Sequence, residues 1–537
     1  MEYNLADLWE AVADEIPTRD ALISGERRLT YAQTEERANR LANFLAAQGI
    51  GVGDHVALLL YNGTEYLEGM LAALKLRAVP INVNYRYMEE ELRYLLDDCD
   101  AKAIVFHREF APKLAAISTE LPLLDTYLSV DDDTGGDLGA VEYEAALAGA
   151  SPARDFGPRS SDDLYILYTG GTTGNPKGVM WRAEDIFFGG LGGGNLGDAP
   201  ISKPEEILDQ LEENRRTLPA CPLMHGTAHW FALGTLYTGG TVVLSPDHHL
   251  DPPRLWKLIA RERVTFLVIV GDAFARPLVE ALDTLDPALD LSSLTVVLSG
   301  GAILSPSVKQ LWVQKLPGTI LIDGFGSSES GGQGSSVTAA GGPIETAPRF
   351  RVDDETTVLD DDLRPAPIGV VGMLARRGHV PIGYYKDPQK TAATFPVVHG
   401  VRWSVPGDHA RIEDDGTITV LGRGSGSINT GGEKVYPEEV ESVVKSHPAV
   451  FDAVVVGTPD ERWGERVVAV VQLRPGATLT AEDLTRHVRA HLAAYKAPRD
   501  LVLVDAVVRS PSGKPDYRWA RAAAEEELAR VRPSAPR

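Results

Sequence analysis

The sequence predicts an α/β protein. It reads as a large N-terminal domain of parallel-rich sheets with helices plus a small β subdomain, followed by a small mobile α+β C-terminal domain. Three observations predict this. Up to about residue 340, helix-period stretches alternate with continuous apolar strands, the pattern of buried parallel sheets. From Arg351 to Leu421 the texture changes to short alternating segments, with Asp-Gly at 415–416 as a hairpin turn. After Arg423 a self-contained series of helices and strands begins. At 537 residues and 58.0 kDa the chain exceeds what one core usually supports, so several domains are expected.

Each element follows from its residues. The first series begins with a helix-period stretch, TYAQTEERANRLANFLAAQG, that ends at Gly49 and leads into the apolar strand DHVALLLYN. YLEGMLAALKLRA repeats the helix and VPINVN the strand; AKAIVF and TYLSV continue the series. A second series runs through TVVLSP, PPRLWKLIARERV, TFLVIVG, LTVVLSGG and TILIDGFG. TTVLDDDLRP and RIEDDGTITVLG supply hairpins for a β subdomain at about 350–421. Beyond it, EEVESVVKSHP and TAEDLTRHVRAHLAAYKAP read as helices, and VFDAVVVGTP, ERVVAVVQLRP and DLVLVDAV as strands. The tail EEELARVRPSAPR is expected to fray. GGLGGGNLGDAP at 189–200 reads as an ordered or lid-like loop, and no repeat of solenoid type occurs. The expected division is 1–422 for the N-terminal domain, 423–427 for a hinge and 428–537 for the C-terminal domain.

Composition excludes several classes. The net charge of −24 argues against a nucleic-acid footprint or an anionic membrane surface. Two cysteines, Cys99 and Cys221, cannot build a disulfide framework or a thiolate metal cage. A reducing, cytoplasmic compartment is therefore expected. There is no run of about 18 apolar residues to span a membrane, and the N-terminus lacks the features of a signal peptide.

The strongest chemical signal is LYILYTGGTTGNPKGVM at 164–180. An apolar strand leads into Gly170, Gly171, Thr172, Thr173 and Gly174, and Lys177 follows. Successive glycines let backbone N–H groups close on an anion, while hydroxyls and one lysine add donors and charge. It is not a Walker A loop, because Pro176 and Gly178 flank the lysine.

That run closely resembles the phosphate loop of adenylate-forming enzymes: acyl-CoA synthetases, nonribosomal adenylation domains and luciferases. The resemblance extends in order through PLMHGTAHW, LSGGAILS, DGFGSSES, WSVPGDHARI, GRGSGSINTGGEKVYPEEVE and SPSGKPDYRW. The last two are most similar in wording to acyl-CoA ligases of steroid side chains and other large carboxylates. The resemblance implies a two-step reaction: a carboxylate attacks the α-phosphate of ATP, and a thiol, usually CoA, then displaces AMP. The implied partners are thus a small-molecule carboxylate, ATP and CoA. Dimers are common in the family, which leaves a homodimer open.

The same resemblance implies roles residue by residue. Glu329 matches the Mg²⁺ carboxylate and Thr169 its partner. Asp323, Gly324 and Phe325, with Gly301 and Ala302, match the adenine pocket; Gly326 and Ser327 continue that motif. Ser328 matches a position on the α-phosphate, Asp408 the carboxylate on the ribose hydroxyls, and Arg423 a nucleotide contact. Lys514 matches the lysine of the adenylation step. His225 matches a gating position between the ATP and acyl sites, with a structural histidine as the alternative. Gly431 and Gly432 match the loop that approaches the pantetheine arm.

Segments 189–197, 225–240 and 324–332 line the acyl pocket by analogy. Their small residues leave volume for a bulky acid, or else allow tight backbone packing. At Gly426, where the family usually has Asp or Lys, glycine removes the Cβ restriction and suits a joint between two domain poses. Two further readings stay open: an enzyme passing the acyl group to an amine or a carrier protein, and a non-catalytic nucleotide binder.

Overall fold

The computed structural model describes residues 1–136, 138–169, 175–195, 199–344, 349–423, 426–430, 433–460, 463–510 and 513–531, with the side chains of 423, 434 and 531 left aside. The phosphate-loop residues Gly170, Gly171, Thr172, Thr173 and Gly174, and the pair Gly431 and Gly432, lie outside the described residues.

Two sheets follow the two parallel series. The first is a five-stranded parallel sheet that takes in His55–Leu59, Val79–Asn82, Ala101–His107 and Thr126–Val130. Every residue of His55–Leu59 is buried, as a strand covered on both faces requires. Helix Tyr31–Ala47, packed on helix Thr64–Lys75, starts on a capping box, with Thr30 and Gln33 exchanging side-chain and backbone hydrogen bonds.

The second sheet is larger. Thr241–Leu244, Arg216–Pro219, Phe266–Ile269, Val296–Gly300 and Ile320–Ser327 run parallel in that order. Gly331–Thr338 then turns antiparallel against Ile320–Ser327. The β region expected at about 350–421 does not stand apart: Arg349–Val352 pairs with Gly331–Thr338 and carries Ile418–Arg423, Asp408–Ile412, Val371–Arg376 and Thr356–Leu359 as one continuous edge. Its own small core is formed around Val358, Leu374, Ala410 and Ile418. Gly383–Tyr384 leaves it altogether and pairs with Lys177–Arg182, which is itself antiparallel to Leu164–Thr169.

The C-terminal domain is built on the long hairpin Val450–Asp460 and Gly464–Leu473, with Asp500–Val504 added in parallel. Strand alternation gives it two cores. Ala453, Val455, Val467 and Ala469 pack under helices Pro437–Ser446 and Ala481–Arg489, while Val454, Val456, Val468 and Val470 face the other way. Of the tail expected to fray, 525–531 are helical, and 532–537 lie outside the described residues. Tyr517–Val531 is a helix, and Ala520, Ala524 and Leu528, four residues apart, cover the apolar strand face. The long helix expected over 480–498 also divides: it ends at Arg489, and Ala494–Lys496 forms a separate turn. This lets Ala497 pack with Leu484 and Val488.

Contacts among the described residues seat this domain on the larger one. Arg474 Nη1 donates to Glu280 Oε1 at 2.9 Å. The buried Arg276 guanidinium lies 5.7 Å from the ring of Phe451. Helix Pro306–Lys315 meets helix Pro437–Ser446, where Ser307 Oγ donates to the Lys445 carbonyl at 3.4 Å. No described helix is long and apolar enough to cross a membrane.

Candidate active site

At the C-terminal ends of the parallel strands, where open α/β sheets place their ligands, a cleft of about 1440 Å³ opens between the domains. Leu298, Gly300, Gly301, Ile322 and Gly324 line it from the strand ends, and Ser510, Lys514 and Tyr517 from the C-terminal domain. One arm is aromatic, with Phe188, Trp230, Phe231 and Phe266.

Lys514 sits on a tightly tied loop. The Ser510 N–H donates to the Lys514 carbonyl at 2.8 Å and the Gly513 N–H to the Ser510 carbonyl at 2.8 Å. Arg509 braces the loop, donating to the Gly513 carbonyl at 2.9 Å and gripping both oxygens of Asp452 at 2.6 and 2.7 Å. Gly513 takes φ 75° beside the Val270 carbonyl, a conformation and a closeness that suit glycine. The Lys514 stem reaches Gly301, where a Cβ would stand 3.9 Å from Lys514 Cε. Two residues more than 200 apart in sequence, Gly301 and Lys514, thus meet at the cleft.

His225 occupies the N-cap of helix Gly226–Tyr237 without making a side-chain cap bond. Its Nε2 is buried and has no hydrogen-bond partner. Burial, with the Lys514 charge second, lowers its pKa to about 3, so it is a neutral imidazole at physiological pH. His229, one turn on, is the structural histidine. Its Nδ1 bonds the Leu223 carbonyl at 2.7 Å and its Nε2 the Tyr165 hydroxyl, and burial lowers its pKa to about 4.

The strand Leu164–Thr169 brings Thr169 to the cleft, opposite Lys177 in register. Lys177 pairs with the carboxylate of Asp387. Glu329 is buried at 8% exposure, and its Oε1 accepts from the Tyr384 hydroxyl at 2.9 Å. Its backbone carbonyl accepts from Ser404 Oγ at 2.5 Å, and the Ser328 carbonyl from Trp181 Nε1 at 3.1 Å. Thr169 and Glu329 offer a hydroxyl and a carboxylate, the hard oxygen donors that suit Mg²⁺ when water and phosphate complete its shell.

Gly324, Phe325, Gly326, Ser327 and Ser328 line the cleft, and so does Gly301; Ala302 and Asp323 do not. Asp323 departs from its expected place among the adenine-pocket residues. Along Ile320–Ser327, Ile322 and Gly324 face the cleft, whereas Leu321 and Asp323 are buried on the opposite side. There Lys309 Nζ donates to Asp323 Oδ2 at 2.7 Å. Burial raises the Asp323 pKa and the Lys309 charge opposes that rise. Asp408 stands opposite Arg423 in the antiparallel register of their strands.

The glycines of the acyl segments divide into two kinds. A Cβ on Gly331 would stand 2.0 Å from the Gly189 carbonyl oxygen, and one on Gly326 2.2 Å from the Gly331 carbonyl oxygen. These positions serve close backbone packing. Gly332 has nothing within 4 Å of such a Cβ, and Gly324 meets its nearest atom at 3.7 Å. These leave volume.

Three residues that shape this site carried no chemical signal in the sequence: Asn82, Tyr384 and Asp387. Asn82 donates to the carbonyls of Tyr168 and Met224 at 2.8 Å each, so it ties the neighbour of Thr169 to the neighbour of His225. Only the Asp-Pro pair at 387–388 gave a local hint, as an N-cap followed by proline in the first turn of Pro388–Thr394.

Comparison with known proteins follows the same lines. A family model described as "AMP-binding enzyme" matches residues 9–385, and one described as "AMP-binding enzyme C-terminal domain" matches 439–514. The 3-oxocholest-4-en-26-oate–CoA ligase of Rhodococcus rhodochrous is 48% identical over 97% of this chain and 96% of its own. A medium/long-chain-fatty-acid–CoA/3-oxocholest-4-en-26-oate–CoA ligase of Mycolicibacterium smegmatis is 47% identical over 98% of each. Among solved structures, an anthranilate CoA ligase in complex with anthranoyl-AMP superposes with a TM-score of 0.85 at 26% identity over 98% of both chains.

Proposed function

The chain belongs to the AMP-binding enzyme family, and from that premise we propose that it is an ATP-dependent, AMP-forming acyl-CoA ligase for a bulky or medium/long-chain carboxylate. The observation that carries this reading is the cleft itself. It joins the strand-end residues, an aromatic arm and Lys514 of the C-terminal domain in one space. The substrate range of the Rhodococcus and Mycolicibacterium relatives supports a polycyclic or long aliphatic acid.

In the first step a carboxylate oxygen attacks the α-phosphorus of ATP and pyrophosphate leaves, giving an acyl-adenylate. Charge neutralisation dominates such a step. Lys514, delivered beside Gly301, bridges the carboxylate and the α-phosphate oxygens. Lys177 with Gly170, Gly171, Thr172, Thr173 and Gly174 holds the outer phosphates, and Ser328 contacts the α-phosphate. Gly301, Gly324 and Phe325 border the adenine, while Asp408 and Arg423 hold the ribose end. Glu329 and Thr169 would hold Mg²⁺, which supplies charge neutralisation to the phosphates when bound. Neutral His225, its Nε2 unpaired, faces the junction of nucleotide and acyl group as a gate that offers a hydrogen bond without adding charge.

In the second step the CoA thiol attacks the acyl carbonyl carbon and AMP departs. The reading includes a hinge at 423–427 about which the C-terminal domain swings, bringing Gly431 and Gly432 toward the pantetheine arm. Buried free thiols at Cys99 and Cys221 suit a cytoplasmic enzyme.

The test incubates the protein with ATP, Mg²⁺ and a panel of carboxylates, with CoA, with an amine or with neither. AMP and pyrophosphate in equal amounts, sustained with CoA and a long or polycyclic acid, are the expected result. Sustained AMP with the amine and not with CoA would make it an amide synthetase. No AMP with any acid would leave a nucleotide binder.

A further inference from the structure

One short segment, Gly383 to Thr394, touches both Glu329 and Lys177. Its first residues pair with Lys177–Arg182, Tyr384 standing opposite Val179. Tyr384 is 3% exposed and its hydroxyl donates to Glu329 Oε1 at 2.9 Å. Three residues later Asp387 caps helix Pro388–Thr394 through Oδ1, which accepts from the Lys390 N–H at 2.9 Å. Its other oxygen, Oδ2, takes the Lys177 ammonium. Thr391 locks the two together: its Oγ1 accepts from the Tyr384 N–H at 2.8 Å and donates to the Asp387 carbonyl at 2.7 Å.

We propose that this segment sets up the phosphate site before ATP arrives, with Tyr384 as a positioning residue for the Glu329 carboxylate and Asp387 as a counter-ion that Lys177 exchanges for nucleotide phosphate. A buried carboxylate free to rotate about its last bond presents a metal ion with a spread of oxygen positions. Holding Oε1 on a tyrosine that is itself packed on Phe395 at 5.6 Å fixes where Oε2 stands. Partners of this kind typically change metal affinity about 10–100-fold when removed. Asp387 acts in the opposite sense. The Lys177 hydrogen bond, first among the causes, lowers the Asp387 pKa, so the pair is a true ion pair that competes with phosphate. The ring of Tyr384 also lies 4.6 Å from the Lys390 ammonium, which adds a second tie to the same helix.

The Tyr384 half rests on the reading of Glu329 as the metal carboxylate, and the experiment separates the two. Mn²⁺ serves as a probe for Mg²⁺, its binding to the full-length protein with a non-hydrolysable ATP analogue read by electron paramagnetic resonance. Glu329→Gln tests the underlying reading: unchanged Mn²⁺ affinity would refute it. With that control lost as expected, Tyr384→Phe should weaken Mn²⁺ about tenfold or more, while analogue binding in EDTA stays at the wild-type value. Wild-type Mn²⁺ affinity in Tyr384→Phe, or an equal loss of analogue binding in EDTA, overturns the positioning role. Asp387→Asn keeps the helix cap, because asparagine caps as well as aspartate. It should tighten analogue binding in EDTA about two- to fivefold, the range of a partly exposed ion pair. Unchanged or weaker binding overturns the counter-ion role.

Discussion

Gly326 and Gly331 beside the cleft and the glycine at the proposed hinge look alike in sequence and behave oppositely in the structure. At Gly331 and Gly326 the place of a Cβ is already filled by backbone oxygen, at 2.0 and 2.2 Å, and Gly331 also takes φ 71°. At Gly426 nothing lies within 4 Å, the residue is exposed, and its φ is outside the left-handed region. The first pair is demanded by the structure as it stands. Gly426 is not, since any residue fits it in this pose. Its glycine is useful only if the backbone there also adopts another conformation, which is what a domain swing between half-reactions needs. Gly422, four residues earlier, is required for another reason: its φ is 107°, while the atom a Cβ would meet, at 2.1 Å, belongs to the movable Glu438 side chain. The lesson is that glycine density alone does not separate a packed crossing from a joint; the space around the missing Cβ does.

If the cleft is the fixed part and the C-terminal domain the moving part, substitutions should split by half-reaction. The largest effect is expected from Lys514→Ala. Losing a charge on the developing α-phosphate should slow adenylate formation about 10²–10³-fold, while supplied acyl-AMP is still converted to acyl-CoA. Equal loss in both would count against Lys514 as the lysine of the adenylation step. Gly331→Ala should strike both half-reactions through the fold. A Cβ forced against a backbone oxygen at positive φ costs about 3 kcal/mol, read as a lowered midpoint in urea unfolding.

Gly426→Pro, next in size, should slow the complete reaction roughly tenfold and adenylation less. Wild-type rates in both half-reactions would remove Gly426 from the hinge. A separate effect, on stability rather than rate, concerns His225. An unfolded histidine takes up its proton near pH 6.5, whereas His225 in the folded protein does so only near pH 3. The unfolded state therefore binds more protons in that window, and stability falls as pH drops through it. His225→Gln should make the fall shallower by up to about 1.4 kcal/mol per pH unit, measured by urea unfolding between pH 6.5 and 4.5.

Local order was legible in the sequence; long-range pairing was not. The strands DHVALLLYN, TFLVIVG and LTVVLSGG fall where apolar runs place them, because a strand buried on both faces must be apolar throughout. Nothing local says that Leu22 pairs with Val242, or that Tyr384 reaches across to Glu329. Those contacts join residues 220 and 55 positions apart, and periodicity carries no information about them. Asp323 shows the same limit within a motif: strand alternation turns its carboxylate away from the cleft onto Lys309. The tail misread has a different cause. EEELARV is so charged that it reads as solvated, yet Ala520, Ala524 and Leu528 form a narrow apolar stripe matched to one strand face.

The most direct test of the account follows one oxygen atom. If a carboxylate oxygen attacks the α-phosphorus of ATP and CoA then displaces AMP, that oxygen must leave with AMP. A long-chain or polycyclic acid labelled with oxygen-18 in its carboxylate, turned over with ATP, Mg²⁺ and CoA, should yield AMP carrying one labelled oxygen and acyl-CoA retaining the other. Label in inorganic phosphate, or unlabelled AMP alongside acyl-CoA, would contradict an acyl-adenylate and with it the proposed role of the cleft.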